Sequence, residues 1–357
     1  MELRRATIAA TLALTLGACN KGNNVDGPGS NCVNDVCPFT NTPAPVGGVA
    51  QFSVLPVAPA PGLSLTALGN LSPPGHVLPT DHVYFYPVDL SKFGQNAGAA
   101  TRNVYMPATG ALFLKLQTSG SIPDWKVMFR ATNTFYFYLD HVLLTVPMIV
   151  DSVYKAGTLI GTTDPGGTLD LGAFDQSVTH DGFLTPARYS EQTLHVVSPY
   201  KYFTPALQAG LYAQIYRAPT ATDKDGKIDF GIAGRLCGDW FLQSLPIDLN
   251  SGGPTGWPQT VSFAYDYYDP SKVRISIGGT IGNPGVWAID SAAPRPESVS
   301  MANGLVIYPL INPFDGGPPV GRVLVQMVTN SQIKIEMFMG ANASQTQFDG
   351  SAWTFVR

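Results

Sequence analysis

The residue types able to do chemistry in this chain gather between positions 69 and 86, where Ser72-Pro73-Pro74-Gly75-His76 leads through Val77-Leu78-Pro79-Thr80 to Asp81-His82-Val83-Tyr84-Phe85-Tyr86. Two of the five histidines stand there with a carboxylate between them. Imidazole and carboxylate are ordinary donors to zinc and ordinary partners in proton transfer. His76, Asp81 and His82 are therefore the first candidate ligands. As strand neighbours, Asp81 and His82 should face opposite ways, so they cannot easily share one ion. Catalytic zinc takes three protein ligands and a water, and the remaining donors are Asp170, His180 and His195, among which no spacing selects.

The elements that must hold these groups read as strands. Pro73, Pro74, Gly75 and Pro79 cannot continue a helix, so His76 sits on a rigid loop feeding an aromatic-rich strand that begins near Asp81. Runs at 51–55, 81–88, 111–117, 125–131, 135–145, 158–161 and 168–174 follow one another with turn signals between them, as in a sandwich or barrel-like sheet. Along 135–145, alternation puts Phe135, Phe137, Leu139, His141 and Leu143 on one face and Tyr136, Tyr138, Asp140 and Val142 on the other. His141 is thus expected among bulky apolar groups. The structural reading of each histidine is a brace: His76 and His82 bonded to loop backbone, His141 satisfied in the core, His180 on a surface turn and His195 half-buried.

The order of these pieces resembles the lysostaphin-type zinc endopeptidases, which cut peptidoglycan. His76 and Asp81 stand where that family has a His-x-x-x-Asp ligand pair; Val104-Tyr105-Met106-Pro107-Ala108-Thr109-Gly110 resembles its V-x-A-P-x-x-G turn. Tyr138-Leu139-Asp140-His141-Val142 resembles its Tyr-x-His-Leu motif, and Gly157-Thr158-Leu159-Ile160-Gly161 its G-x-x-I-G hairpin. The resemblance implies His76 and Asp81 as metal ligands and His141 as a histidine that stabilises the transition state. This chain departs at two places. Four residues, not three, separate His76 from Asp81, and Thr168-Leu169-Asp170-Leu171-Gly172 occupies the place of the closing His-x-His strand that supplies a ligand and a base.

Beyond residue 200 the chain changes character. Leu207, Leu211 and Ile215 recur every four residues behind Pro205, which predicts one amphipathic helix over 205–217, packed between two domains. Strand-like runs then continue to the end, including a hairpin turning at Thr329-Asn330-Ser331, and predict an antiparallel sandwich or barrel. Thr222-Asp223-Lys224-Asp225-Gly226 has its glycine too early for a calcium loop and reads as a charged turn.

Composition agrees with a mainly β fold of two domains, 49–200 and 201–357. Glycine (37) and proline (30) together make up nearly a fifth of the 357 residues, and aromatics 11%, which favours short strands joined by turns. A net charge of −4 with scattered Lys and Arg offers no basic stripe, which argues against nucleic acid as a partner. Residues 1–18 carry Arg4, Arg5 and an apolar run over 6–16, the layout of an export signal, and Leu16-Gly17-Ala18-Cys19 resembles the lipobox of bacterial lipoproteins. Acylation of Cys19 would anchor the chain to membrane lipid. Residues 19–48 read as a flexible tether, with Cys32 and Cys37 close enough for a small disulfide in an oxidising compartment and Cys237 left as a buried thiol.

The expectation is an exported, lipid-anchored envelope protein whose peptidase-like domain is non-catalytic, needs no cofactor, and binds peptidoglycan or an envelope partner. The alternatives are a zinc-dependent peptidoglycan endopeptidase with rearranged ligands, built on His76, Asp81, and His82 or Asp170, or a surface adhesion or scaffold lipoprotein.

Overall fold

The computed structural model describes residues 25–26, 42–58, 63–86, 90, 101–118, 123–164, 167–313 and 316–357. Cys19, Cys32 and Cys37 lie outside them. The chain is mainly β and forms two sheets. The first contains β1 (Val25–Asp26), β2 (Ser64–Leu65), β3 (His82–Tyr86), β4 (Asn103–Tyr105), β5 (Gly110–Thr118), β6 (Asp124–Arg130), β7 (Phe135–Leu144), β8 (Val153–Tyr154), β9 (Leu159–Thr163) and β10 (Leu169–Asp175). Its main path runs β1-β5-β6-β7-β10-β3-β2, with β4, β8 and β9 paired alongside.

On β7 the two faces separate as the period-two pattern requires. Phe135, Phe137 and Leu139 join the large core with Phe52, Phe85 and Phe129, whereas Tyr136 and Tyr138 pack on the opposite side with Phe174. The alternation then breaks. Trp125 pairs with Val142 and Val127 with Leu139, so Asp140 and His141 together oppose the single residue Lys126. This is a β-bulge, and His141 takes a left-handed backbone at φ 65°. The expected placement of His141 beside Leu139 is corrected by that extra residue: the phase slips by one, Val142 enters the core, and His141 turns to the other side.

A short helix α1 (Glu191–Leu194), capped by the Ser190 hydroxyl, precedes α2 (Pro205–Gln214). The helix α2 stops short of the expected Arg217 because Ile215 turns extended and bridges Leu65. Leu211, Ile215 and Ile228 all enter the core of the first sheet.

The second sheet is a closed antiparallel barrel whose strands follow sequence order: β11 (Gly238–Leu242), β12 (Thr260–Tyr265), β13 (Val273–Ile277), β14 (Gly285–Ile289), β15 (Leu305–Ile311), β16 (Gly321–Thr329), β17 (Gln332–Met339) and β18 (Trp353–Val356). Closure between β11 and β18 leaves no unpaired edge. Residues two apart fill its interior, among them Val261 with Phe263, Ile275 with Ile277, and Ile333 with Ile335. On β11, Trp240 points inward, while Phe241 packs into the core of the first sheet and touches Tyr189 at 5.8 Å between centroids. Arg188 strengthens this seam by donating to the Pro246 carbonyl at 3.1 Å and lying 4.6 Å over the Phe241 ring.

Candidate functional site

The loop before β3 is closed by Gly69 N–H donating to Thr80 O (3.1 Å) and Thr80 N–H to Asn70 O (3.1 Å). At its tip Ser72 and His76 exchange two backbone bonds, which fixes the His76 backbone. Asp81 falls in the bend just before β3, so strand alternation does not govern it. The expectation that Asp81 and His82 point apart is therefore corrected: His82 Nδ1 lies 3.1 Å from Asp81 Oδ1.

Asp81 is the hub of the site. Its Oδ1 faces His82 Nδ1 and accepts from the Tyr138 hydroxyl at 3.0 Å; its Oδ2 accepts from Gln192 Nε2 and Thr193 Oγ1, each at 3.1 Å. One carboxylate thus ties β3, β7 and α1 together with every acceptor position in use. Burial alone would raise its pKa, but His82, Lys126 and Gln192 hold it below the usual carboxylate range.

His82 is enclosed as well. Its Nε2 lies 3.0 Å from the Tyr84 hydroxyl and 3.3 Å from Asp170 Oδ2. Across the bulge, His141 Nδ1 is 2.8 Å from Asp124 Oδ2, and its Nε2 is 3.6 Å from the same Asp170 oxygen. Asp170 is 4% exposed, and its Oδ1 has no hydrogen-bond partner. Burial pushes Asp170 up against the pull of His82 and His141; burial would lower His141, but Asp170, Asp124 and Asp140 hold it well above its usual range. His141 thus stands among three carboxylates, Asp170, Asp124 and Asp140, that favour its charged form.

His76 forms part of the rim. Its ring centroid is 5.2 Å from that of His82 and 4.8 Å from that of Trp257, which comes from the barrel side. Burial and the neighbouring His82 push its imidazole down to about 3, so it is neutral at physiological pH. The cavity is about 130 Å³, with Asp239, Gly252, Pro254 and Trp257 supplying the barrel's share of the wall.

The structure brings together His76, Asp81, His82, His141 and Asp170 around this one cavity. His180 and His195 are not among its lining residues: His180 donates to Val196 O at 2.7 Å and His195 Nδ1 to Val178 O at 2.6 Å. Sequence reasoning missed Gln192, Thr193, Lys126, Asp124 and Trp257. Gln192 and Thr193 reach Asp81 across more than 100 residues, and nothing local in their sequence marks them.

Whether zinc fits can be judged from the donors. On β10, the strand that takes the place of the resemblance's closing pair, Gly172 is paired with His82 of β3, and a Cβ placed there would overlap Cε1 and Cζ of Tyr138. The Tyr138 ring fills the space that any side chain at position 172 would need. With Asp81 saturated and no histidine on β10, the residues present do not fit a zinc ion held as the resemblance implies. At the edge of the same cavity, Asp124, Asp140 and His141 have ligand atoms within 4.8 Å of one another.

No protein-family profile and no curated protein matches this chain. Among solved structures it is similar to Helicobacter pylori Csd3, at a TM-score of 0.28 and 16% identity over 43% of this chain and 35% of that one. It is also similar to lysostaphin, at a TM-score of 0.26 and 12% identity over 72% of this chain and 93% of that one. The chain spans about a third of the length of Csd3. Both are weak likenesses of fold, and what the site does rests on its own residues.

Proposed function

We propose that this chain is an exported, lipid-anchored envelope protein whose peptidase-like domain binds peptidoglycan or an envelope partner without cutting it. The observation that carries the reading is Asp81, whose two oxygens are taken by four groups from three elements. A carboxylate so engaged is a rigid floor for recognition, and freeing it for a metal would cost roughly 1–3 kcal/mol for each donor left unpaired. Above that floor, neutral His76 and Trp257 offer flat faces of the sort that suit sugar rings and peptide planes.

The second reading is a zinc hydrolase with rearranged ligands, and the closeness of Asp124, Asp140 and His141 is what favours it. Elemental analysis of zinc-reconstituted protein, beside a muropeptide digestion assay and co-sedimentation with purified sacculi, separates the two. Binding is expected to give substoichiometric metal, no cleavage, and sedimentation that weakens in His76→Ala and Trp257→Ala. One tightly held zinc with chelator-sensitive cleavage would put the hydrolase first.

A further inference from the structure

A second cleft, about 640 Å³, opens between the segment that follows α2 and the hairpin joining β12 to β13. That volume lies in the range of small-molecule sites, roughly 300–1,000 Å³. Arg217 lines it and is 9% exposed, yet its Nε and one terminal nitrogen, Nη1, are buried without a hydrogen-bond partner. Its backbone cannot retreat. Tyr216 N–H donates to Leu65 O at 2.7 Å, Ala218 N–H donates to Tyr268 O at 2.8 Å, and the Tyr216 and Tyr268 rings stack at 4.5 Å.

The acids around the cleft are already engaged. Asp266 accepts from Arg274 Nε at 2.8 Å, Asp229 faces Lys227 at 3.4 Å, and Glu297 pairs with Arg295 at 2.7 Å. Asp223 reaches Arg217 only at 3.7 Å, is itself 54% exposed, and spends its oxygens on the N–H groups of Asp225 and Gly226. A buried guanidinium with unmet donors is costly, by more than an ordinary lost hydrogen bond. Glu297 lines the cleft too; burial would raise its carboxyl, but the Tyr265 hydroxyl and Arg295 beside it hold it below the usual range. Phe230 and Tyr267 supply aromatic wall.

We propose that this cleft is a binding site for a small organic carboxylate, held by Arg217 against the aromatic wall. A peptide's terminal carboxylate and a sugar acid share that chemistry. The assignment does not rest on the reading of the first cavity.

The test uses the purified full chain and three probes, N-acetylalanine, methyl glucuronide and N-acetylalaninamide, followed by calorimetry and ligand-observed NMR at low salt. At least one acid is expected to bind, with the amide about tenfold weaker or worse, as loss of a charge-assisted hydrogen bond implies. Whichever acid binds more tightly identifies the source. Arg217→Gln should lower the affinity for that acid by a similar factor, and Tyr267→Leu should weaken it with the charge intact. If Arg217→Gln fails to fold, the comparison of acid with amide on the unaltered chain still decides. Equal binding of acid and amide, or no binding of any probe at millimolar concentration, overturns the proposal.

Discussion

Gly172 and Tyr138 show how one missing side chain sets the character of a site. The Tyr138 ring lies where a Cβ on residue 172 would go, with its hydroxyl donating to Asp81 and Lys126 Nζ 4.2 Å from the ring centroid. Tied down by its hydroxyl and covered on one face by Lys126, the ring cannot swing aside cheaply. Gly172→Ala is therefore expected to destabilise the chain by about 1–3 kcal/mol, the usual cost of overpacking. In a double-mutant cycle read by urea unfolding, Tyr138→Ala should absorb much of that penalty, because it removes the obstructing atoms. Strict additivity of the two substitutions would show that the ring is not what fills the space.

At the scale of elements, the seam between the first sheet and the barrel carries a titrating group. Asp239 on β11 accepts from the Tyr189 hydroxyl at 2.9 Å and from the Ser262 hydroxyl at 2.6 Å. Burial outweighs both bonds and raises its carboxyl from 3.8 to about 6. Between those two values the unfolded chain has released the proton and the folded chain keeps it, so the native state binds more protons. Stability from this group therefore falls as pH rises from about 4 to about 6 and stays low above that. Asp239→Asn has no such proton to lose. Melting temperatures taken across this window should show the variant gaining on the unaltered chain as pH rises; parallel profiles would remove Asp239 from the account.

For the whole molecule, the signal-like start and Leu16-Gly17-Ala18-Cys19 lead to a prediction about location. Replacing Cys19 with Ala should abolish labelling by a radioactive fatty acid and release the protein from membranes, since two or more acyl chains anchor stably where one does not. Retention of the variant on membranes after a salt wash would rule out the anchor. Among the described residues no helix is long and apolar enough to cross a membrane.

The sequence by itself determined the β class, the turn-rich spacing of strands, the single longer helix and the loop that presents His76. Those are local properties: proline and glycine punctuation, and a period of two. It also marked His76, Asp81, His82, His141 and Asp170 as the groups to watch. Only the tertiary structure decided how they meet. Alternation failed at His141 because one extra residue opposite Lys126 shifts the phase, and bulges leave no reliable mark in a single sequence. It failed at Asp81 because the residue precedes the strand. Tyr138, Gln192 and Thr193, which with the adjacent His82 saturate Asp81, come from segments far away in the chain, and their convergence follows from the packing of β3, β7, β10 and α1. Local pattern sets what each segment becomes, while the chemistry at their meeting point is a property of long-range packing.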